Sequence, residues 1–180
     1  MKDIKHRKLY FLAAGVICSV LMALVYAGSA PDKKNTPRSR RPKMSDKVIR
    51  SNKEWKRLLT PLQYKITRKK ASERPFTGKY YNFKGEGIYQ CVCCGNELFT
   101  SEAKYKSGTG WPSFWNVIER GRIEKIPDYG LSMVRTEVAC SRCGAHLGHV
   151  FNDGPKPTGL RYCINSAALK FVSRNKKYQV

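Results

Sequence analysis

The chain has 180 residues, 41% of them apolar and 11% aromatic, and carries a formal net charge of +22. That length and apolar share can hold one ordinary domain with a real core plus an appendage. Residues 1–50 hold 12 Lys/Arg against 3 Asp/Glu and residues 51–180 hold 23 against 10, so the excess divides as +9 and +13. Such an excess means solubility and a non-specific pull toward anionic surfaces, and a nucleic-acid role needs more than charge.

Leu9 to Ala27 is an apolar run of about 19 residues preceded by Lys2, Lys5, Arg7 and Lys8. It is long for a signal-peptide core and just long enough to span a bilayer. Ala27-Gly28-Ser29-Ala30 offers small residues for cleavage, although Pro31 follows directly. Residues 1–30 are therefore read as an apolar anchor or signal segment, and residues 31–45 as a basic polar linker. Four Lys/Arg before the run and six within residues 33–43 lean toward a cytoplasmic domain. A secretory leader would place it outside, so the expectation is a membrane-associated or exported protein with its side left open.

The domain proper is expected over residues 46–172. Ser51-Asn52-Lys53-Glu54 has the form of a capping box, and Trp55, Leu58 and Leu59 supply an apolar stripe behind it. Thr60-Pro61-Leu62-Gln63 repeats the logic with Pro at the first helical position, and this second helix should run to about Lys70. Lys65, Arg68, Lys69 and Lys70 read as its solvated face. After Pro75, short segments rich in Tyr, Val, Ile and Phe alternate with Gly, Asn and Pro. They predict strands over Gly87–Val92, Tyr105–Ser107, Leu131–Ala139, His146–Phe151, Leu160–Ile164 and Ala168–Val172, an antiparallel and mainly β domain. Residues 173–180 read as a polar tail.

Seven cysteines occur, and four of them form two CxxCG units, Cys91/Cys94 before Gly95 and Cys140/Cys143 before Gly144. Such units read as two knuckles clasping one tetrahedral zinc ion, with glycine freeing each turn. Disulfides are the alternative, but adjacent CxxC thiols suit a metal better than a structural bridge. The 45 residues between the pairs exceed a compact zinc ribbon, so an element of the fold must be inserted there. Cys140, Cys143, His146 and His149 recur every third residue, which makes a local Cys2His2 site conceivable. That arrangement would leave Cys91 and Cys94 without a task.

Arg161-Tyr162-Cys163-Ile164-Asn165-Ser166, written as a strand, puts Arg161, Cys163 and Asn165 on one face. A guanidinium beside a thiol stabilises the thiolate and is expected to lower the thiol pKa from its free value of about 8.5. The plainer reading of Cys163 is a small buried hydrophobe. His146 and His149 are two of only three histidines in the chain. Residues three apart on a strand face opposite ways, so both can serve one site only if Gly148 introduces a bulge or turn. Trp111, ahead of Pro112, offers either a core residue or a flat polarisable wall.

Ser107-Gly108-Thr109-Gly110-Trp111-Pro112-Ser113-Phe114, Cys143 through Phe151 and Arg161 through Ser166, taken with both CxxC pairs, closely resemble the methionine-R-sulfoxide reductase B family. The resemblance covers about residues 46–172, including the Trp55 helix and Phe76-Thr77-Gly78. It implies two antiparallel sheets with short N-terminal helices, and a zinc ion held by Cys91, Cys94, Cys140 and Cys143 away from the active site. It also implies reduction of methionine-R-sulfoxide, free or in proteins. A sulfoxide is attacked at sulfur by a thiolate while its oxygen is protonated, so the site needs a reactive thiol, an acid and an apolar pocket for the methyl. Cys163 is the thiol, assisted by Arg161. By resemblance His149 is the acid, His146 and Asn165 hold the oxygen, and Trp111 and Phe151 bind substrate.

One departure stands out. Many family members carry a resolving cysteine where this chain has Thr109. Cys93 is the only spare thiol of the domain and sits inside a zinc knuckle, and Cys18 lies in the apolar run. A sulfenic acid at Cys163 is therefore expected to be reduced by an external thiol, small or thioredoxin-like. Two rival classes compete with this reading. A zinc-ribbon nucleic-acid module has support in the charge and the CxxC pairs, but the basic residues form no stripe interleaved with aromatics, so no nucleic-acid partner is expected. A membrane-tethered zinc scaffold without catalysis would leave Cys163, both histidines and Asn165 unexplained.

Overall fold

Ser51 and Thr60 start two helices as the sequence predicts, in a computed structural model that describes residues 47–130 and 134–174. The apolar run Leu9–Ala27, the linker and residues 175–180 lie outside the described residues. Among those described, no helix is long and apolar enough to cross a membrane. Helix α1 (Asn52–Leu58) and helix α2 (Pro61–Lys69) both open with complete capping boxes. The Ser51 and Thr60 hydroxyls accept from the amides of Glu54 and Gln63, whose side chains accept from Ser51 N and Thr60 N in return. Trp55 and Leu59 are buried as expected, but Leu58 is exposed, because α1 ends there and the chain turns extended at Leu59.

Lys70 closes α2 in the left-handed region, with φ of 56°. Two of the four basic residues expected merely to face solvent do more. The Arg68 guanidinium lies 5.0 Å above the Trp55 ring and donates to the Cys143 carbonyl. Lys70 Nζ reaches Glu137 at 2.7 Å.

The β segments are β1 (Gly87–Cys91), β2 (Glu97–Thr100), β3 (Lys104–Tyr105), β4 (Ser113–Phe114), β5 (Ile123–Asp128), β6 (Arg135–Cys140), β7 (His146–Phe151), β8 (Arg161–Ile164) and β9 (Leu169–Ser173). They form a three-stranded sheet in the order β2-β1-β9 and a six-stranded sheet in the order β3-β4-β8-β7-β6-β5, and every pairing is antiparallel. The two-sheet, mainly β architecture matches the expectation. Strands β2, β4 and β5 were not anticipated. β2 follows directly on a cysteine knuckle, β4 has two residues, and β5 carries Pro127 and alternating charges at the edge of its sheet, where proline is tolerated.

Aromatic side chains join the sheets. Phe99 of the small sheet stacks on Phe114 of the large one at 4.3 Å, and Tyr89 meets the same ring at 5.0 Å, all three fully buried. Burying each ring contributes about 1.5–3 kcal/mol, with a further gain from the pair geometry.

Register places the chemistry. Ser113 of β4 faces Cys163 of β8, Cys163 faces His149 of β7, and His149 faces Glu137 of β6, giving one row across four strands. Gly148 pairs with Val138 and His146 with Ala139, so Leu147 is the extra residue of a bulge. That insertion returns His146 to the face of His149, as the sequence required. A Cβ at position 148 would lie 2.1 Å from the Cys163 carbonyl oxygen, so only glycine fits there. Gly148→Ala should force β7 and β8 apart, cost about 1–3 kcal/mol and lower the midpoint of thermal unfolding. An alanine variant as stable as the parent would show that the strands part freely.

Candidate active site

The row opens onto a pocket of about 190 Å³. Trp111, His149, Phe151, Cys163 and Asn165 line it, all five picked out from the sequence, with Ser72, Arg135 and Gly148 completing the wall. Arg161 and His146 stand beside and behind it. Cys163 is half-buried, and the Thr109 hydroxyl lies 3.9 Å from its sulfur.

The expected lowering of the Cys163 pKa by Arg161 does not prevail. Burial pushes the Cys163 thiol up, and Thr109 and Arg161 only partly offset it. The reason is the company Arg161 keeps. Its guanidinium is held in a bidentate pair by Asp153, at 2.8 Å on both bonds, and stacks 4.4 Å over Phe151. The Asp153 charge acts on Cys163 in the opposite sense.

Each histidine is gripped by a carboxylate. His146 is 2% exposed and its Nδ1 lies 2.7 Å from Glu137, whose other oxygen accepts from Lys70. Burial would raise the Glu137 carboxyl, but Lys70 and His146 outweigh it and hold it below the usual range. Burial lowers the His146 pKa against the pull of Glu137, so the ring is neutral at neutral pH and donates Nδ1–H to an ionised carboxylate. Its Nε2 is buried without a protein partner. His149 Nε2 lies 2.7 Å from Asp128, and Arg135 holds the same carboxylate oxygen at 2.8 Å. The His149 hydrogen bond is the largest of the effects that bring the Asp128 pKa down to about 2.

Asn165 carries a structural task as well. Its Oδ1 accepts from Glu73 N and its Nδ2 donates to the Leu147 carbonyl within the bulge, leaving one N–H for the pocket. Glu73, itself buried, accepts from the amides of Ser166 and Ala167, and its carbonyl accepts from Trp111 Nε1. One segment after α2 thus fixes both Trp111 and Asn165. Glu73, Asp128, Arg135 and Glu137 were missed in the sequence. Only the alternation of Arg135 and Glu137 on one strand face could have pointed to the last two.

The four knuckle cysteines converge. The sulfurs of Cys91, Cys94, Cys140 and Cys143 all lie within 4.8 Å of one another, with Cys91–Cys143 at 3.7 Å and Cys94–Cys140 at 3.6 Å. Tetrahedral Zn–S bonds of 2.3 Å require sulfurs about 3.8 Å apart, so the donor set and its spacing suit such an ion. Gly95 and Gly144 occupy the left-handed region at φ of 71° and 65° with open space around them, and Asn96 Nδ2 donates to Cys140 Sγ. The Cys2His2 alternative fails, because Cys140 and Cys143 close with Cys91 and Cys94, and among the described residues no histidine joins that group.

The SelR domain family matches residues 59–173. A protein of Hahella chejuensis named peptide methionine sulfoxide reductase MsrB is 59% identical over 128 residues, 71% of this chain and 92% of its own length. Proteins of the same name from Synechococcus sp. and Methanosarcina mazei are 55% and 56% identical, over 73% and 71% of this chain and 96% and 91% of their own lengths. The chain belongs to the methionine-R-sulfoxide reductase B family.

As a member of this family of oxidoreductases it is a metal-binding protein. Its cluster clamps the turn between β1 and β2 to the turn between β6 and β7, and the latter leads straight into His146. Cys93 sits beside the cluster, within reach of Cys91, Cys143 and Thr67. Cys140→Ala should therefore abolish stoichiometric metal and lower the unfolding midpoint, since metal binding contributes folding energy. Elemental analysis with calorimetry checks this, and a metal-free variant of unchanged stability would contradict it.

Proposed function

We propose that this reductase converts methionine-R-sulfoxide, free or within oxidised proteins, to methionine by attack of the Cys163 thiolate on the sulfoxide sulfur. The observation that supports it best is the row Cys163–His149–Glu137, which sets a thiol against a histidine with Trp111 and Phe151 as apolar walls. Trp111 and Phe151 receive the methyl group and the side chain. His149 donates a proton to the sulfoxide oxygen. Asp128 occupies its Nε2 and fixes the ring, so Nδ1 is the nitrogen left for the substrate.

The remaining N–H of Asn165 steadies the oxygen, the Nε2 lone pair of neutral His146 accepts from it once His149 has protonated it, and Arg161 keeps positive charge beside the sulfur. The oxygen passes to Cys163 as a sulfenic acid and methionine leaves with its sulfur reduced. Two equivalents of thiol then return Cys163, releasing water and one disulfide. With Thr109 beside Cys163 and Cys93 in the metal knuckle, that thiol comes from outside, either a small thiol or a thioredoxin-like protein. The ion held by Cys91, Cys94, Cys140 and Cys143 is zinc, which has no redox chemistry of its own and serves the fold. Membrane attachment through Leu9–Ala27, or export, rests on the hydropathy of that segment alone.

Turnover of the R and S epimers of a methionine-sulfoxide compound with dithiothreitol tests the assignment. The R epimer alone should be reduced, and Cys163→Ser should abolish turnover with fold and metal retained, because a hydroxyl gives no useful anion at neutral pH. Full activity of the serine variant would overturn the reading. His149→Asn should lower the single-turnover rate by about 10²–10⁴-fold, and an unchanged rate would move the acid elsewhere.

A further inference from the structure

Three hydroxyls run in line from the Cys163 sulfur into the large sheet. Thr109 Oγ1 lies 3.9 Å from Cys163 Sγ, Ser107 Oγ 2.9 Å from Thr109 Oγ1, and Ser113 Oγ 2.7 Å from Ser107 Oγ. Ser113 is fully buried, directly opposite Cys163 in register, and its hydroxyl is 3.2 Å from the Trp111 carbonyl. A hydroxyl has one proton to give and two lone pairs to offer, so a line of them can be ordered in either direction.

Beside a neutral thiol the order runs outward. Cys163 S–H donates to Thr109, Thr109 to Ser107, Ser107 to Ser113, and Ser113 to the Trp111 carbonyl, so every link is filled. Beside a thiolate the order reverses. Thr109 turns its proton to the sulfur, Ser107 donates to Thr109, and Ser113 donates to Ser107. The Thr109 amide, 3.4 Å from Ser107 Oγ, supports the turn in both orders.

We propose that Ser113, Ser107 and Thr109 form a reversible hydroxyl relay that follows the charge on Cys163 and stabilises its thiolate, with Thr109 making the contact and the two serines positioning it. The proposal rests on Cys163 being the nucleophile. The other charged or titratable groups around Cys163 are His149 across on β7, Arg135 on the pocket wall, Tyr105 on β3, and Arg161 with its partner Asp153. The Thr109 hydrogen bond and the Arg161 guanidinium both favour the thiolate, and Asp153 already shares the Arg161 charge.

The test is the rate of Cys163 alkylation by iodoacetamide as a function of pH, read on the Cys163 peptide by mass spectrometry in the metal-loaded protein without sulfoxide. Thr109→Val should move the midpoint up by about one pH unit, the size expected for one lost hydrogen bond to a charged group. Thr109→Ser should restore it, and Ser107→Ala and Ser113→Ala should each move it up by less. A Thr109→Val midpoint equal to the parent's, or a serine variant that behaves like valine, would overturn the proposal. Unchanged midpoints in both alanine variants would confine the effect to Thr109 and overturn the relay. Should Thr109→Val fail to fold, the two serine positions decide alone. Because alkylation needs no sulfoxide, a protein that shows these shifts but reduces no R-sulfoxide would refute the proposed function and leave the relay standing.

Discussion

The close passage of β7 over β8 at Gly148 is the constraint on which the site depends. Without a side chain at that point the two backbones approach until a Cβ would sit 2.1 Å from the Cys163 carbonyl oxygen. The same bulge turns His146 onto the face of His149 and sets His149 opposite Cys163. Asn165 then bonds the Leu147 carbonyl within the bulge, so the residue that follows β8 also locks the strand that carries the imidazoles. A thiol, two imidazoles and an aromatic wall are thereby held by backbone geometry rather than by flexible side chains, the preorganisation that catalysis needs.

Around this row the protein adds charge in a graded way. The deeper imidazole is kept neutral by burial and pinned by Glu137, which Lys70 holds from the end of α2. The shallower one faces Asp128, which Arg135 shares. Two histidines three residues apart thus receive different surroundings, one buried against Glu137 and Lys70 and the other nearer the surface against Asp128 and Arg135. The cysteine cluster works at longer range. It pins the β6–β7 turn and so the start of β7, where His146 begins the bulge.

How much of this could be read from the residues depended on the reach of each signal. The capping boxes at Ser51 and Thr60 are local and were legible, as were the CxxCG knuckles and the need for a bulge at Gly148. Strand β5 was not, because Pro127 and alternating charge conceal an edge strand whose pairing partner alone defines it. Asp128, Arg135 and Glu137 went unnoticed for the same reason, since their value comes from facing β7 across the sheet. Arg161 was legible as a charge near Cys163 but not as a charge already paired. Asp153 lies eight residues earlier, across the β7–β8 connection, and only the fold brings it to the guanidinium. Asn165 was legible as a polar residue on the face of Cys163 but not as a brace, because its contact with Glu73 spans 92 residues.

In the proposed reaction, oxygen passes from substrate to a single sulfur. A single turnover of methionine-R-sulfoxide without reductant, followed by a dimedone-type probe and peptide mass spectrometry, tests that claim most directly. The expected result is one adduct, on Cys163, with one thiol consumed per methionine formed. Two thiols consumed and no adduct, with Cys163 found in a disulfide to Cys93, would contradict it.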